Sequence, residues 1–209
     1  MRLSLVFYMF LARMAVGTLW ALPVVMRMRP AERHLRFQLV LAMVLAGGAA
    51  ALYGPALGDD LHPEWPRGLA AFTTLSGGMP VTLVLVTALA LVANFLFGTY
   101  RRTAGRVVLV VACLAGVLPV LGTAHMPPGD EPWQLTGRTV MGLLGGAAMG
   151  GVNDAMILGH FYLMIKGLPL EALKRSGYWC VGVLLARVVG FGLVLLCWPG
   201  AQDVLLGRE

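Results

Sequence analysis

Three ionisable residues, Arg13, Asp154 and Arg187, stand inside long apolar segments of the sequence. A charge near the middle of a bilayer costs about 2.5–3.5 kcal/mol on insertion scales, so such residues pair with one another or face a water-filled cavity. A helix rises about 1.5 Å per residue, which places all three within several Å of one depth. We therefore expect Asp154 to lie between the two arginines, in a cluster that either links the helices structurally or attracts an anionic group through its net positive charge.

A run of glycines precedes Asp154 in the fifth apolar segment. Gly142, Gly146 and Gly150 recur at every fourth position and so share one face of a helix. Small residues at this spacing allow two membrane helices to approach closely. We expect this face to form a packing seam against a neighbouring helix.

Polar side chains continue this face beyond the glycines. Asn153 and His160 project close to the glycine stripe, and Asp154 lies at its edge. His160 and Tyr162 can each donate or accept a hydrogen bond, and both have rings that can stack on a ligand. The candidate ligand- or proton-binding residues are Arg13, Asn153, Asp154, His160, Tyr162 and Arg187.

The composition predicts the elements that must position these residues. Of 209 residues, 58% are hydrophobic and 12% are charged, whereas soluble domains have about 25% charged residues. Too few charges exist to cover a water-soluble globule, so the chain is predicted to be a membrane protein in contact with the lipid bilayer. The net charge of +6 then belongs to loops beside anionic lipid, and no nucleic-acid partner is expected.

Six apolar segments are each long enough for the roughly 20 residues that a helix needs to cross hydrocarbon. They cover approximately residues 3–26, 37–57, 69–97, 107–125, 139–165 and 176–198. The segments lack the alternation of membrane-barrel strands, and a helix satisfies its own backbone groups in lipid. The sequence therefore predicts an all-α fold, with residues 1–209 forming a single domain of six transmembrane helices joined by short loops.

The third segment is too long for one simple span. Gly77, Gly78 and Pro80 interrupt it, and such residues kink or break helices. Two alternatives remain: a kinked helix from Leu69, or a short interfacial or re-entrant piece followed by a span from Met79.

Basic residues alternate between the two sides of the predicted spans. One side carries Arg27, Arg29, Arg33, Arg36, Arg101, Arg102, Arg106, Lys166, Lys174 and Arg175, and the other carries Arg2, Arg67, Arg138 and Arg208. Cytoplasmic loops carry the excess of Lys and Arg. We therefore predict a multi-pass protein of the inner (plasma) membrane with both termini outside the cytoplasm.

The histidines disfavour a haem held by two of them. His125 is expected at the outer end of the fourth span and His160 near the inner end of the fifth, so they cannot ligate one haem. His34 is expected in a cytoplasmic loop. His62 lies in an acidic outer loop whose spacing matches no tight ligand pattern, so no metal ligands are predicted and no cofactor is identified.

Familiar catalytic patterns are missing from the sequence. It contains no Gly-x-Ser-x-Gly, no His-Glu-x-x-His, no phosphate-binding loop and no dinucleotide-binding glycine motif. Intramembrane aspartyl chemistry needs two carboxylates, and Asp154 is the only one within the predicted spans. The sequence therefore disfavours an enzyme.

Three functions fit these observations. The leading hypothesis is an integral membrane subunit or accessory protein that binds partner helices, or a lipid-like or quinone-like ligand, through the intramembrane polar cluster. The first alternative is a small proton- or anion-coupled transporter, in which Asp154 carries the proton and Arg13 or Arg187 contacts the anion. The second alternative is a haem- or quinol-linked redox protein that uses His160. Partner subunits or self-association are expected in the first case.

Overall fold

The computed structural model describes residues 3–26, 32–57, 78–124, 132–164 and 170–197, and within these ranges the regular secondary structure is entirely helical. The helices are α1 (Leu3–Val25), α2 (Glu32–Leu57), α3 (Gly78–Gly98), α4 (Arg102–Ala115), α5 (Val117–Ala124), α6 (Pro132–Met164) and α7 (Glu171–Cys197). Six apolar stretches are long enough to cross a membrane, with α4 and α5 counted together as one. The prediction of an all-α fold with six transmembrane helices is confirmed.

The fourth span is divided into α4 and α5 at Gly116. Pro119 has no N–H to donate to the carbonyl of Ala115, and its ring crowds that carbonyl. One turn of the hydrogen-bond ladder is therefore interrupted. Gly116 packs against Val16 of α1, where a β-carbon would lie 2.9 Å from a methyl group of that valine.

The second helix begins earlier than the hydropathy pattern predicts. It starts at Glu32, before the predicted start of the span at Phe37. Arg33 and Arg36 lower the local hydropathy, but both are exposed, and the opposite face of the same turn is buried. The expectation that His34 lies in a loop is therefore wrong, because His34 is part of α2 and is buried.

The third helix begins at Gly78, with Pro80 in its first turn, a position that proline tolerates because the first N–H groups of a helix have no internal partner. The interruption at Gly77, Gly78 and Pro80 therefore coincides with the start of a helix. A kink or a re-entrant piece over 69–77 would lie outside the described residues.

α1 is the most enclosed span and α7 the least enclosed. α1 packs mainly against α2 and α6, while α7 packs mainly against α6. The largest cluster of buried apolar side chains joins four helices, α1, α2, α3 and α4. It contains Leu19, Leu22, Leu35, Leu39, Ala42, Val86, Ala90, Ala93, Phe97, Leu109 and Ala112. Apolar residues on the outer faces of the helices are exposed to the surroundings, as expected for lipid contact.

α1 and α6 cross at glycines with their backbones in direct contact. A β-carbon at Gly17 would overlap the carbonyl of Gly146, and one at Gly150 would overlap the backbone of Gly17. Gly142 lies farther along the same face of α6, next to the Arg13 side chain. The crossing brings Thr18 of α1 close to Asn153 of α6, with Thr18 Oγ1 and Asn153 Nδ2 3.4 Å apart.

Candidate functional site

Asp154 is buried on α6 and accepts hydrogen bonds from two other helices. The Nε2 atom of His34 lies 2.7 Å from Asp154 Oδ1, and it donates because a carboxylate oxygen only accepts. Ser176 Oγ donates to Oδ2 over 2.8 Å. Gln38 Nε2 donates more weakly to Oδ1 over 3.3 Å. Both carboxylate oxygens are therefore occupied by protein donors.

The network continues from Asp154 to α1. Asn153 Nδ2 lies 3.4 Å from both Thr18 Oγ1 and Gln38 Oε1, at the long end of hydrogen-bond distances. Thr18 Oγ1 donates in turn to the carbonyl of Met14 over 2.8 Å. We call the buried residues of this network the His34–Asp154 cluster: Thr18, His34, Gln38, Asn153, Asp154 and Ser176. It joins α1, α2, α6 and α7.

Helical periodicity places His34 and Gln38 on one side of α2. Residues four positions apart lie on the same helix face, and here Leu35 and Leu39 extend that face inward. Arg33 and Arg36 occupy the exposed side. The first turns of α2 are therefore amphipathic, with the two hydrogen-bonding residues turned towards the core.

The imidazole of His34 has one occupied and one free nitrogen. Nε2 bonds to Asp154, while Nδ1 is buried and has no hydrogen-bond partner among the described residues. Phe161 packs against this imidazole in a T-shaped arrangement, with ring centroids 5.5 Å apart and the ring planes at 83°. In the neutral ring Nδ1 accepts a hydrogen bond, and in the imidazolium it donates one. A third group of either polarity could therefore bind there.

The arginines do not join Asp154. Neither Arg13 nor Arg187 forms an ion pair with it, although all three lie in the described part of the chain. Arg13 lies beside Gly142, and Asp154 is twelve residues farther along α6, which is about 18 Å of helix rise. The prediction that Arg13, Asp154 and Arg187 form one cluster is therefore wrong. Counting residues along separate spans gave the three a similar depth, but it did not determine where the ends of the long arginine side chains lie.

Arg13 has a different partner at the other end of the bundle. Its Nε donates to Thr123 Oγ1 over 3.2 Å, and that hydroxyl donates to the carbonyl of Val120 over 2.7 Å. Arg187 is exposed on α7. A β-carbon at Gly145 would lie 3.9 Å from its guanidinium carbon. The structure thus separates the predicted site into an Asp154 part and an arginine part.

The remaining candidates lie on the last turns of α6. His160 is exposed and makes no hydrogen bond or ring contact with the part of the chain that the structure describes. Tyr162 is half-buried and packs beside Val25, Leu158 and Ala172. Of the polar residues that the sequence singles out, Asn153 and Asp154 belong to the His34–Asp154 cluster.

Sequence reasoning missed the partners of Asp154 on the other helices. His34 and Gln38 stand four positions apart, and Ser176 opens the sixth apolar segment. A signal was present in the spacing of His34 and Gln38, but two positively charged neighbours masked it. Ser176 and Thr18 carried no such signal, because single hydroxyl residues are common in membrane helices.

The described residues contain no group of three or more His, Cys, Asp or Glu side chains that could hold a metal ion. No protein-family model, curated protein or solved structure matches this chain. The chemistry of the His34–Asp154 cluster is therefore the basis on which a function can be inferred.

Proposed function

We propose that this protein is an integral membrane subunit that binds a quinone-like ligand beside His34 in the His34–Asp154 cluster. The observation that carries the proposal is the free Nδ1 of His34, a buried polar atom with no partner among the described residues. Leaving such an atom unsatisfied costs about 1–3 kcal/mol. A ligand oxygen placed beside it removes that cost.

The two protonation states of the imidazole match the two redox states of a quinone. A quinol hydroxyl donates to the neutral Nδ1, and a quinone carbonyl accepts from the imidazolium. Asp154 supports both states, because it accepts a hydrogen bond from the Nε2–H of His34 and stabilises a positive charge on the ring. The pair can therefore hold the polar head of such a ligand through a change in its protonation.

Aromatic side chains lead from the surface of the bundle to His34. Phe37 is exposed, and its ring centroid lies 6.0 Å from that of Phe161. Phe161 in turn contacts the His34 ring. Aromatic rings pack on one another in edge-to-face and offset geometries, so a flat head group bound beside His34 has these two rings as packing partners.

The partner-binding part of the proposal rests on α7. This helix exposes large apolar side chains along most of its length and packs mainly against α6. Such a face suits a neighbouring membrane helix as well as lipid. We expect a native complex in mild detergent to be larger than one chain, as measured by mass photometry or native mass spectrometry.

The quinone proposal is tested by titrating a short-tailed ubiquinone analogue into the full chain, purified in a quinone-free detergent. We expect His34→Ala to weaken binding at least about tenfold, which corresponds to about 1.4 kcal/mol. Glu171→Gln is the matched control, because it alters an exposed ion pair at the start of α7, five residues before Ser176 of the cluster. Equal affinities for the His34 variant and the parent protein would contradict the proposal.

A proton-coupled transporter is the second candidate. It is favoured by the 2.7 Å contact between two titratable groups, His34 and Asp154, that are both shielded from the surface. The transporter hypothesis in which Arg13 or Arg187 contacts an anion next to Asp154 is no longer supported, because both arginines lie apart from Asp154. Uptake into proteoliposomes should disappear in Asp154→Asn while the variant retains its helical circular-dichroism spectrum.

In the redox alternative, His34 replaces His160 as the candidate ligand-binding histidine. His160 is exposed and lies outside the cluster, whereas His34 has both the buried position and the acidic partner. A visible absorption spectrum of the purified protein would distinguish a haem from a quinone, since a haem absorbs strongly there.

A further inference from the structure

A second polar site lies towards the other end of the bundle, where two arginines approach one another. The guanidinium groups of Arg13 and Arg187 lie beside Gly142 and Gly145, which are neighbours on one face of α6, so the two positive charges repel each other. Neither forms an ion pair with a carboxylate of the described chain. Two like charges held together in an apolar environment are costly. An anion bound between them would lower this cost.

The floor of this site is the backbone of α6. A β-carbon at Gly142 would lie 3.6 Å from Nη2 of Arg13, and one at Gly145 would lie 3.9 Å from Cζ of Arg187. Residues three positions apart are neighbours on a helix face. Both guanidinium groups therefore rest against adjacent glycine positions of one helix.

Hydrogen-bonding capacity remains at this site. Arg13 uses Nε for Thr123, and no hydrogen bond of its terminal nitrogens is made to the described residues. Arg187 makes no hydrogen bond with those residues either, and its side chain is exposed. Guanidinium groups bind phosphate and carboxylate oxygens through pairs of parallel hydrogen bonds.

The position of the site allows access from a membrane surface. Gly142 lies six residues from the end of its span at Thr136, and Arg187 lies seven residues from the end of its span at Val194. These offsets correspond to roughly 9–11 Å of helix rise, a distance that long arginine side chains reduce by extending towards the interface. Thr123 is the last residue of its span.

We propose that Arg13 and Arg187 form an oxyanion site that takes a phosphate group, either in a phospholipid headgroup or as a free anion. Arg187 is exposed, so an arriving anion contacts it first. Arg13 is hydrogen-bonded to Thr123 and makes the second contact, deeper in the bundle. This site is distinct from the His34–Asp154 cluster, because about 14–18 Å of α6 lies between its two glycines and Asp154. The proposal is independent of quinone binding.

The test uses the full chain in phosphatidylcholine nanodiscs with and without phosphatidylglycerol, and in neutral detergent with inorganic phosphate. We expect phosphatidylglycerol or phosphate to raise the midpoint of thermal unfolding of the parent protein, because a ligand of the folded state stabilises it. Arg13→Gln and Arg187→Gln should lose most of this shift. Arg175→Gln, which removes an exposed arginine paired with Glu171, should keep it.

The two sources of phosphate give different results that both support the site. A shift with phosphatidylglycerol that inorganic phosphate does not reproduce identifies a lipid headgroup, and a shift with inorganic phosphate identifies a free anion. In the absence of any anion, Arg187→Gln should unfold at a higher temperature than the parent, because it relieves the repulsion by Arg13. The proposal is overturned if neither probe shifts the parent protein, or if both glutamine variants keep the parent's full shift.

Discussion

His34 Nε2 lies 2.7 Å from Asp154 Oδ1, although 120 positions separate the two residues in the chain. The contact joins the first turn of α2 to the interior of α6, and Ser176 adds α7 to the same carboxylate. Helix association in lipid gains little from the hydrophobic effect, so such hydrogen bonds and close packing determine which helices are neighbours. The same carboxylate therefore serves both the assembly of the bundle and the proposed ligand site.

Replacing Asp154 with alanine removes the acceptor of three buried donors. We expect the free energy of unfolding to fall by about 3–5 kcal/mol, the range found when one member of a buried pair is deleted. Asp154→Asn keeps one acceptor oxygen and should cost less. Unfolding by SDS in mixed micelles, followed by tryptophan fluorescence, measures the difference. Glu171→Ala, which removes an exposed pair and an acidic residue in the first turn of α7, should cost no more than about 1 kcal/mol.

The coupling between the two partners is measured by a double-mutant cycle. His34→Ala and Asp154→Ala should together cost less than the sum of the single changes, with an interaction free energy of about 0.5–3 kcal/mol. This result is expected because each single variant leaves the other side chain buried and unpaired. Strictly additive costs would show that the contact contributes nothing to stability.

Ser176 is the polar link between α7 and the cluster. We expect Ser176→Ala to lower the free energy of unfolding by about 0.6 kcal/mol, the average for hydrogen bonds between membrane helices, and by no more than about 1.7 kcal/mol. Gly177→Ala is the matched control on the next residue, since a β-carbon there meets no atom within 4 Å. The same unfolding measurement serves for both. A loss in the control as large as that in Ser176→Ala would assign the effect to the helix position.

The glycine crossing between α1 and α6 should be intolerant of any side chain. Gly150→Ala places a methyl group into the backbone of Gly17, so the helices must separate, at a cost of about 3 kcal/mol or more. Gly159→Ala on the same helix meets open space and should be neutral or slightly stabilising, since alanine favours helix more than glycine does. Comparing the yield and unfolding of these two variants separates backbone contact from helix propensity.

The orientation in the membrane follows from the loop charges and remains a prediction. Alkaline phosphatase fused after Trp65 should be active, because that loop is predicted outside the cytoplasm, and the enzyme fused after Arg102 should be inactive. The reverse pattern would place both termini in the cytoplasm. Reporter activity normalised to fusion-protein level in whole cells provides the measurement.

The six spans could be predicted from sequence because hydropathy is a local property, set by neighbouring residues. The error at the start of α2 is informative, since Arg33 and Arg36 made a helical turn resemble a loop while its other face was buried. Gly146 and Gly150 illustrate a pattern that marked a close helix contact in advance, but the partner, Gly17, is one glycine among 27 and had no distinguishing spacing.

The sequence by itself determined how many helices cross the membrane and that Asp154 needs a partner there. Only the tertiary structure decided that the partner is His34, and that Arg13 and Arg187 lie near each other elsewhere. The physical reason is that position along a helix gives an approximate depth, whereas a contact also requires the rotation of each helix, the identity of its neighbours and the direction of its side chains. Those quantities are set by packing among all six spans at once.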